Sequence, residues 1–300
     1  MIQSDLPHAA AAKLTAASSA AGVRSSAGAG AQRKPLRICF VGWGAIAQRA
    51  AQLLLERNPA RVDLVGVAVR ETTKPRPDVP ENTRVILQPG QLEDMELDLV
   101  VEAAGRDCVQ AWASAALRTG ADFMIASTSA FTDENLMSEI IALAERSQRR
   151  VIMPPGALGG IDALGAAALA QLTHVKHTII KPPSAWRSTK AAEAVDLDAI
   201  VEPVAFFEGT AREAADQFPK NANVAIISAM AGLGLDNTNV TLVADPSAKR
   251  NTHRIHADGE FGRLEICLEN AALKSNPKSS EMTALNIVRA VENQINTLVL

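Results

Sequence analysis

The sequence predicts an α/β architecture: a doubly wound parallel sheet in the N-terminal part, followed by a second, α+β domain. Three observations predict it. Short, nearly continuous apolar runs alternate with helix-period segments up to residue 153, a glycine-rich turn closes the first run, and strand-like segments follow one another after Pro154-Pro155-Gly156. Unbroken apolar strands separated by helices are what a parallel sheet covered on both faces requires.

The first strand is the run Leu36 to Val41, which stops at Gly42-Trp43-Gly44. A helix follows, because Ile46, Ala50, Leu53 and Leu54 keep a 3.6-residue stripe until Asn58-Pro59, where proline cannot continue it. Val62 to Val69 is the next strand, completing one βαβ unit with a right-handed crossover. Leu97 to Glu102 and Asp122 to Ala126 read as strands, with a helix from Cys108 to Thr119 between them, ended by Gly120. A helix from about Thr132 to Gln148 and the strand Val151 to Met153 complete the series.

Beyond Gly156, strands are expected around Thr178 to Lys181, Val204 to Phe207, Val240 to Ala244, His253 to Ala257 and Arg263 to Glu269, as an antiparallel sheet. Helices are expected at Thr210 to Gln217, where Thr210 and Glu213 have capping-box spacing, and at Asn221 to Gly232, with Asn221 as N-cap. A last helix from Ser280 to about Leu298 returns to the first domain. The expected division is therefore a tail over 1–34, a first domain over 35–155 joined by the helix 280–300, and a second domain over 156–279. The tail is expected to be disordered, since Ala, Ser and Gly dominate Ala9 to Ala31 without a bulky apolar period. Its bases Lys13, Arg24, Arg33 and Lys34 against the single Asp5 also resemble a weak organellar transit peptide.

Composition removes several classes of function. At 47% hydrophobic and 21% charged, the 300 residues are ordinary globular material, enough for two cores. A net charge of −3 and the lack of a basic run flanked by aromatics argue against a nucleic-acid partner. Cys39, Cys108 and Cys267 are far apart and odd in number, so neither a disulfide framework nor a zinc site is encoded, and a reducing cytoplasm fits. No window is apolar for the eighteen or so residues a membrane span needs.

The turn carries the first chemistry. In Gly42-x-Gly44-x-x-Ala47, Gly42 allows the tight turn, Gly44 removes a side chain where a pyrophosphate must come close, and Ala47 lets helix and strand approach. The unpaired amides at the helix start, over Ala45 and Ile46, then face an anion. Placed between a strand and a helix, this is the fingerprint of a Rossmann dinucleotide-binding domain. The second strand closes with Val69-Arg70-Glu71 rather than with the acid that accepts ribose hydroxyls. Arg70 fits a contact to a 2′-phosphate and equally a solvated loop residue, so both NAD and NADP stay open.

Four polar segments stand out in the second half: Pro155 to Asp162, with Gly156-Ala157-Leu158-Gly159-Gly160; Lys181 to Trp186; Phe207 to Val224, with Asn221-Ala222-Asn223-Val224; and Asp245-Pro246 followed by Asn251-Thr252-His253-Arg254-Ile255. With Gly259-x-Phe261-Gly262 and Asn276-Pro277-Lys278-Ser279-Ser280, they resemble, in order, the signature stretches of the L-aspartate dehydrogenase family. The resemblance runs from about Leu36 to the C-terminus. It implies a homodimer that oxidises L-aspartate with NAD or NADP to iminoaspartate, which hydrolyses to oxaloacetate and ammonia, the imine feeding NAD synthesis. It implies His253 as the active-site histidine, and Ala157 and Asn223 as cofactor contacts.

The residues agree with that implication on their own terms. On a strand, alternation points Asn251, His253 and Ile255 to one face, so a carboxamide and an imidazole share one cavity. An imidazole can move a proton near neutrality, and Asn251 beside it suits substrate binding. A dicarboxylate demands cations; Lys181, Lys220 and Lys278 are the motif lysines, with Lys220 of the asparagine stretch taken as the substrate contact. His174 and His177 would suit a metal on a helix, but strand alternation separates them and no metal is expected. Trp43 and Trp186 are expected to be core residues rather than walls of a nicotinamide pocket. Two other readings are a reductase of another small acid, similar to dihydrodipicolinate reductase, and an NAD(P)-binding protein without turnover. A panel of acids separates the first, and cofactor binding without aspartate-dependent reduction marks the second.

Overall fold

A computed structural model describes residues 34–73, 76, 78–187, 189–219 and 223–299. The expectations for the tail, for Lys220 and for Asn221 fall outside the described residues.

The chain runs β1 (Leu36–Val41), α1 (Ala45–Arg57), β2 (Val62–Ala68), β3 (Arg84–Ile86), β4 (Leu99–Glu102), α2 (Val109–Arg118), β5 (Asp122–Ile125), α3 (Glu134–Ser147) and β6 (Val151–Ile152). These six strands form one parallel sheet in the order β3-β2-β1-β4-β5-β6. The order reverses between β1 and β4, and at such a switch point the carboxyl ends of the strands open a crevice. β1 is buried from Ile38 onward because it lies between two strands and two helical layers. Element ends differ from the sequence expectation by one or two residues, as helix ends do. The three-residue edge strand β3 gave no sequence signal, being too short to show a period.

The rest follows as α4 (Ile161–Ala167), β7 (Leu172–Lys181), α5 (Ala191–Ala194), β8 (Val204–Thr210), α6 (Ala211–Gln217), α7 (Asn223–Ala231), β9 (Asn239–Ala244), β10 (Asn251–Gly259), β11 (Gly262–Asn270), β12 (Ala272–Leu273), β13 (Asn276–Ser280) and α8 (Glu281–Ile295). A second sheet has the order β11-β10-β7-β9-β8. It is mixed rather than wholly antiparallel, because β7 and β9 pair in parallel. The long connection through α5, β8, α6 and α7 makes that crossover possible. β7 is also ten residues long, not four: its buried face reads Val175, His177, Ile179, and a histidine in the middle hides the alternation. Thr210 and Glu213 form the expected capping box of α6.

The terminal helix ties the parts together. Ala284, Ile287 and Val291 of α8 pack with Ala47, Ala50 and Leu54 of α1, while Arg49 Nε meets Glu281 Oε1 and Arg57 Nε meets Glu292 Oε1, both at 2.8 Å. Burying that apolar seam outweighs the two half-exposed ion pairs, each worth at most about 1 kcal/mol. Pro35–Leu300 form one compact unit. Among the described residues no helix is long and apolar enough to cross a membrane.

Candidate active site

Two cavities meet at the carboxyl ends of β1 and β4, and Ala103 lines both. The first, of about 470 Å³, is walled by Val41, Gly42, Trp43 and Gly44 on one side and by Arg70, Glu71, Arg76 and Trp112 on the others. Gly42 has φ +90°, and a Cβ there would stand 2.8 Å from the Ala103 carbonyl oxygen, so only glycine fits. At Gly44 the same test meets nothing within 4 Å: the space a side chain would fill is open.

Gly44 is the N-cap of α1, no side chain caps the helix, and its first turn holds no acid. The amides over Ala45 and Ile46 are thus presented to the crevice with the positive end of a 13-residue helix. Ala47 is fully buried against β1. An open cradle beside uncapped amides fits a dinucleotide pyrophosphate. Arg70 is exposed at the far wall. Trp43 corrects the sequence expectation: it is half-buried rather than core, lines this cavity, and is held by Nε1 donating to Asp78 Oδ2 at 2.8 Å.

Sequence reasoning missed Glu102, which anchors backbone that lines the two cavities, Ala104 in the first and Ser127 in the second. Fully buried at the end of β4, its carboxylate accepts from the amides of Ala104 (2.7 Å), Gly105 (2.9 Å) and Ser127 (3.0 Å), and from the Ser127 hydroxyl (2.8 Å). Four donors stabilise a buried carboxylate that would otherwise be costly. They also fix the backbone after β4 and β5. An acid ending an apolar strand was the available signal.

The second cavity, about 260 Å³, is lined by Asn223, Asn251, His253, Lys181 and Lys278, with Gly156, Ala157, Ser279 and Ser280. Asn251 and His253 share β10 while Lys181, Lys278 and Asn223 come from β7, β13 and α7, and three asparagines hold the loops in place. Asn223, at the start of α7, accepts with Oδ1 from the Ser129 amide at 3.0 Å, which orients its carboxamide. Asn270 Nδ2 donates to the Ala157 carbonyl at 2.9 Å, and Asn286 Nδ2 donates to those of Gly156 and Leu158, both at 2.8 Å. Gly156 and Gly160 have φ +62° and +68°. The Gly156-Ala157-Leu158-Gly159-Gly160 stretch marked that loop in the sequence; the asparagines that pin it lie over a hundred residues away.

His253 is only 4% exposed. Its Nδ1 lies 3.2 Å from Nε2 of the fully buried His177, whose Nδ1 lies 2.8 Å from Ser228 Oγ. Burial first, then His177 and Lys181, push the His253 pKa well below 6.5, so it is a neutral imidazole at physiological pH. Burial pushes Lys181 down to about 8; its ammonium sits 4.8 Å from the Trp186 ring. Trp186 itself is a core residue, stacked edge-on with Phe206 and Phe218. His174, on the other face of β7, packs on His256 instead, and no metal-binding cluster occurs among the described residues.

Two lysines, a neutral imidazole and two carboxamides converge, and none of the described lining residues is acidic. Low-dielectric walls of one sign concentrate an anion. Residues 162–294 match the family model described as aspartate dehydrogenase, C-terminal, and residues 42–154 match that described as homoserine dehydrogenase, NAD binding domain. The L-aspartate dehydrogenase of Brucella anthropi is 53% identical over 263 residues, spanning 88% of this chain and 98% of its own. The chain belongs to the L-aspartate dehydrogenase family. The L-aspartate dehydrogenase of Ralstonia pickettii is 40% identical over 88% of this chain and 99% of its own. The crystal structure of aspartate dehydrogenase from Thermotoga maritima superposes with a TM-score of 0.71 at 25% identity, covering 88% of this chain and 99% of that one. A hyperthermophilic archaeal homoserine dehydrogenase in complex with NADPH shares the fold at a TM-score of 0.58 and 12% identity. The two-cavity arrangement is thus that of an L-aspartate dehydrogenase family member, and its electropositive end lies over the second sheet.

Proposed function

We propose that this chain is an NAD(P)-dependent oxidoreductase acting on CH–NH2, converting L-aspartate to iminoaspartate, which water hydrolyses to oxaloacetate and ammonia. One observation carries the reading: the cavity beside His253 holds Lys181 and Lys278 and no described acid, which suits a substrate with two carboxylates. Bound in the crevice, a nicotinamide would supply the acceptor for the hydride that leaves Cα of the substrate.

The remaining work falls to the chain. The Gly42 to Ala47 turn holds the pyrophosphate, and Ala157 and Asn223 hold the nicotinamide end. Asn251 and the lysines orient aspartate; Lys220, in the same motif, is proposed as a further contact. A neutral His253 accepts the proton that the substrate ammonium must lose before its nitrogen lone pair can form the C=N bond. Burial of the imidazole keeps it unprotonated for that task.

The division of labour follows the two sheets: residues 35–155 with α8 bind the dinucleotide, and 156–279 carry the substrate. We assign the protein to the cytoplasm, in keeping with three free cysteines, as a homodimer that supplies the imine to NAD synthesis. Steady-state cofactor reduction against a panel of amino and hydroxy acids tests the substrate. Aspartate is expected to lead with either cofactor; equal rates with alanine or malate overturn the reading.

A further inference from the structure

α7 is apolar after Asn223, except for one serine, and that serine is fully buried. β7, the central strand of the second sheet, likewise places a histidine, His177, where its alternation calls for a hydrophobic residue. Burying a hydroxyl and an imidazole costs free energy that Ala and Leu would avoid. The hydrogen bonds of Ser228 and His177 form one line that ends at His253.

The direction of that line can be read from its far end. The Ser228 hydroxyl donates to the Ala225 carbonyl at 3.0 Å, one turn back on α7. With its hydrogen committed there, Ser228 Oγ accepts from Nδ1–H of His177 at 2.8 Å. A neutral imidazole carries one hydrogen, so His177 Nε2 is a bare acceptor. His253 Nδ1 at 3.2 Å must therefore be the donor, and the lone pair of His253 is left on Nε2, at the cavity. Burial holds His177 neutral, its pKa pushed down to about 3, so the line does not reverse at physiological pH.

We propose that His177 and Ser228 are positioning residues that fix the tautomer of His253, holding its proton on Nδ1 so that Nε2 is free to accept the proton of the substrate ammonium. This inference rests on the catalytic reading of His253 and extends it. The opposite tautomer, with hydrogen on Nε2, would present a donor to the substrate and could not act as the base. A wrong tautomer fails even in intact geometry.

The test uses the full chain with cofactor bound. Nitrogen-15 chemical shifts of the histidine rings are expected to show His253 protonated on Nδ1 and bare on Nε2; a proton on Nε2 in the parent protein overturns the proposal. His177→Leu keeps the burial and removes the acceptor. It is expected to lower kcat for aspartate by at least about tenfold, less than the roughly hundredfold or more of a direct acid–base group, with cofactor Kd and KM nearly unchanged. His177→Gln, whose carboxamide oxygen accepts from Nδ1–H, is expected to recover most of that loss. Ser228→Ala is expected to give a mixture of His253 tautomers with a partial loss of kcat. An unchanged kcat in His177→Leu, while His253→Ala is inactive, overturns the relay alone. Full turnover in His253→Ala instead removes the catalytic reading beneath it. Should His177→Leu fail to fold, the shifts of the parent protein still decide.

Discussion

The Lys181 ammonium lies 4.8 Å from the centroid of the Trp186 ring, which is fully buried and packs on Phe206 and Phe218. An aromatic face supports a buried cation, and Lys181 lines the cavity it shares with His253 and Lys278.

Lys181→Met is therefore expected to raise KM for aspartate by about tenfold or more, as for loss of a charged hydrogen bond, with kcat less affected. Burial lowers the Lys181 pKa to about 8. The ammonium form exists below that value, so affinity for the dicarboxylate is full below about pH 8 and falls as pH rises through it. A KM series across this range checks the sign, and the Met variant is expected to lose this component.

Arg70 stands on the wall of the cavity at the Gly42 turn, beside Glu71 and Arg76. Arg70→Asp puts an acid where ribose hydroxyls are usually bound and repels a 2′-phosphate. The NADP-to-NAD affinity ratio, read by titration of cofactor fluorescence, is expected to fall at least about tenfold; an unchanged ratio removes Arg70 from cofactor choice.

Glu102→Gln replaces an acceptor of four hydrogen bonds with a group that has a donor end facing backbone N–H groups. Leaving such groups buried and unmatched costs about 1–3 kcal/mol. Denaturant unfolding is expected to show that loss together with weaker cofactor binding, since Ala103 lines both cavities and Ala104, held by Glu102, lines the first.

Acid sensitivity follows from the two buried histidines. Both have native pKa values below the ordinary 6.5, His177 at about 3. Below 6.5 the unfolded chain takes up protons that the native state refuses, so their contribution is complete above 6.5 and stability falls as pH drops toward about 3. Urea unfolding at neutral pH and near about pH 5 is expected to show this slope, and His177→Leu is expected to reduce it.

Much of this was legible in the sequence, for local reasons. The Gly42 to Ala47 turn and the apolar strands around it announce their geometry by spacing alone, and Asn251 and His253 share a face by alternation. Residues acting through distant partners were not legible. Ser228 reads as one more helix residue, and His177 looked like half of a rejected metal pair because its partner, His253, is seventy-six positions away. Asn270 and Asn286 likewise hold the Gly156 to Leu158 loop from remote strands and helices. The parallel pairing of β7 with β9 was hidden because the intervening segment is itself a strand and three helices.

The role of the neutral imidazole in the lysine-lined cavity is tested most directly by single-turnover reduction of bound cofactor in His253→Ala. Cofactor Kd is expected to match the parent, while the aspartate-driven rate falls by about a hundredfold or more. A variant that binds cofactor normally and still reduces it at the parental rate would contradict the account.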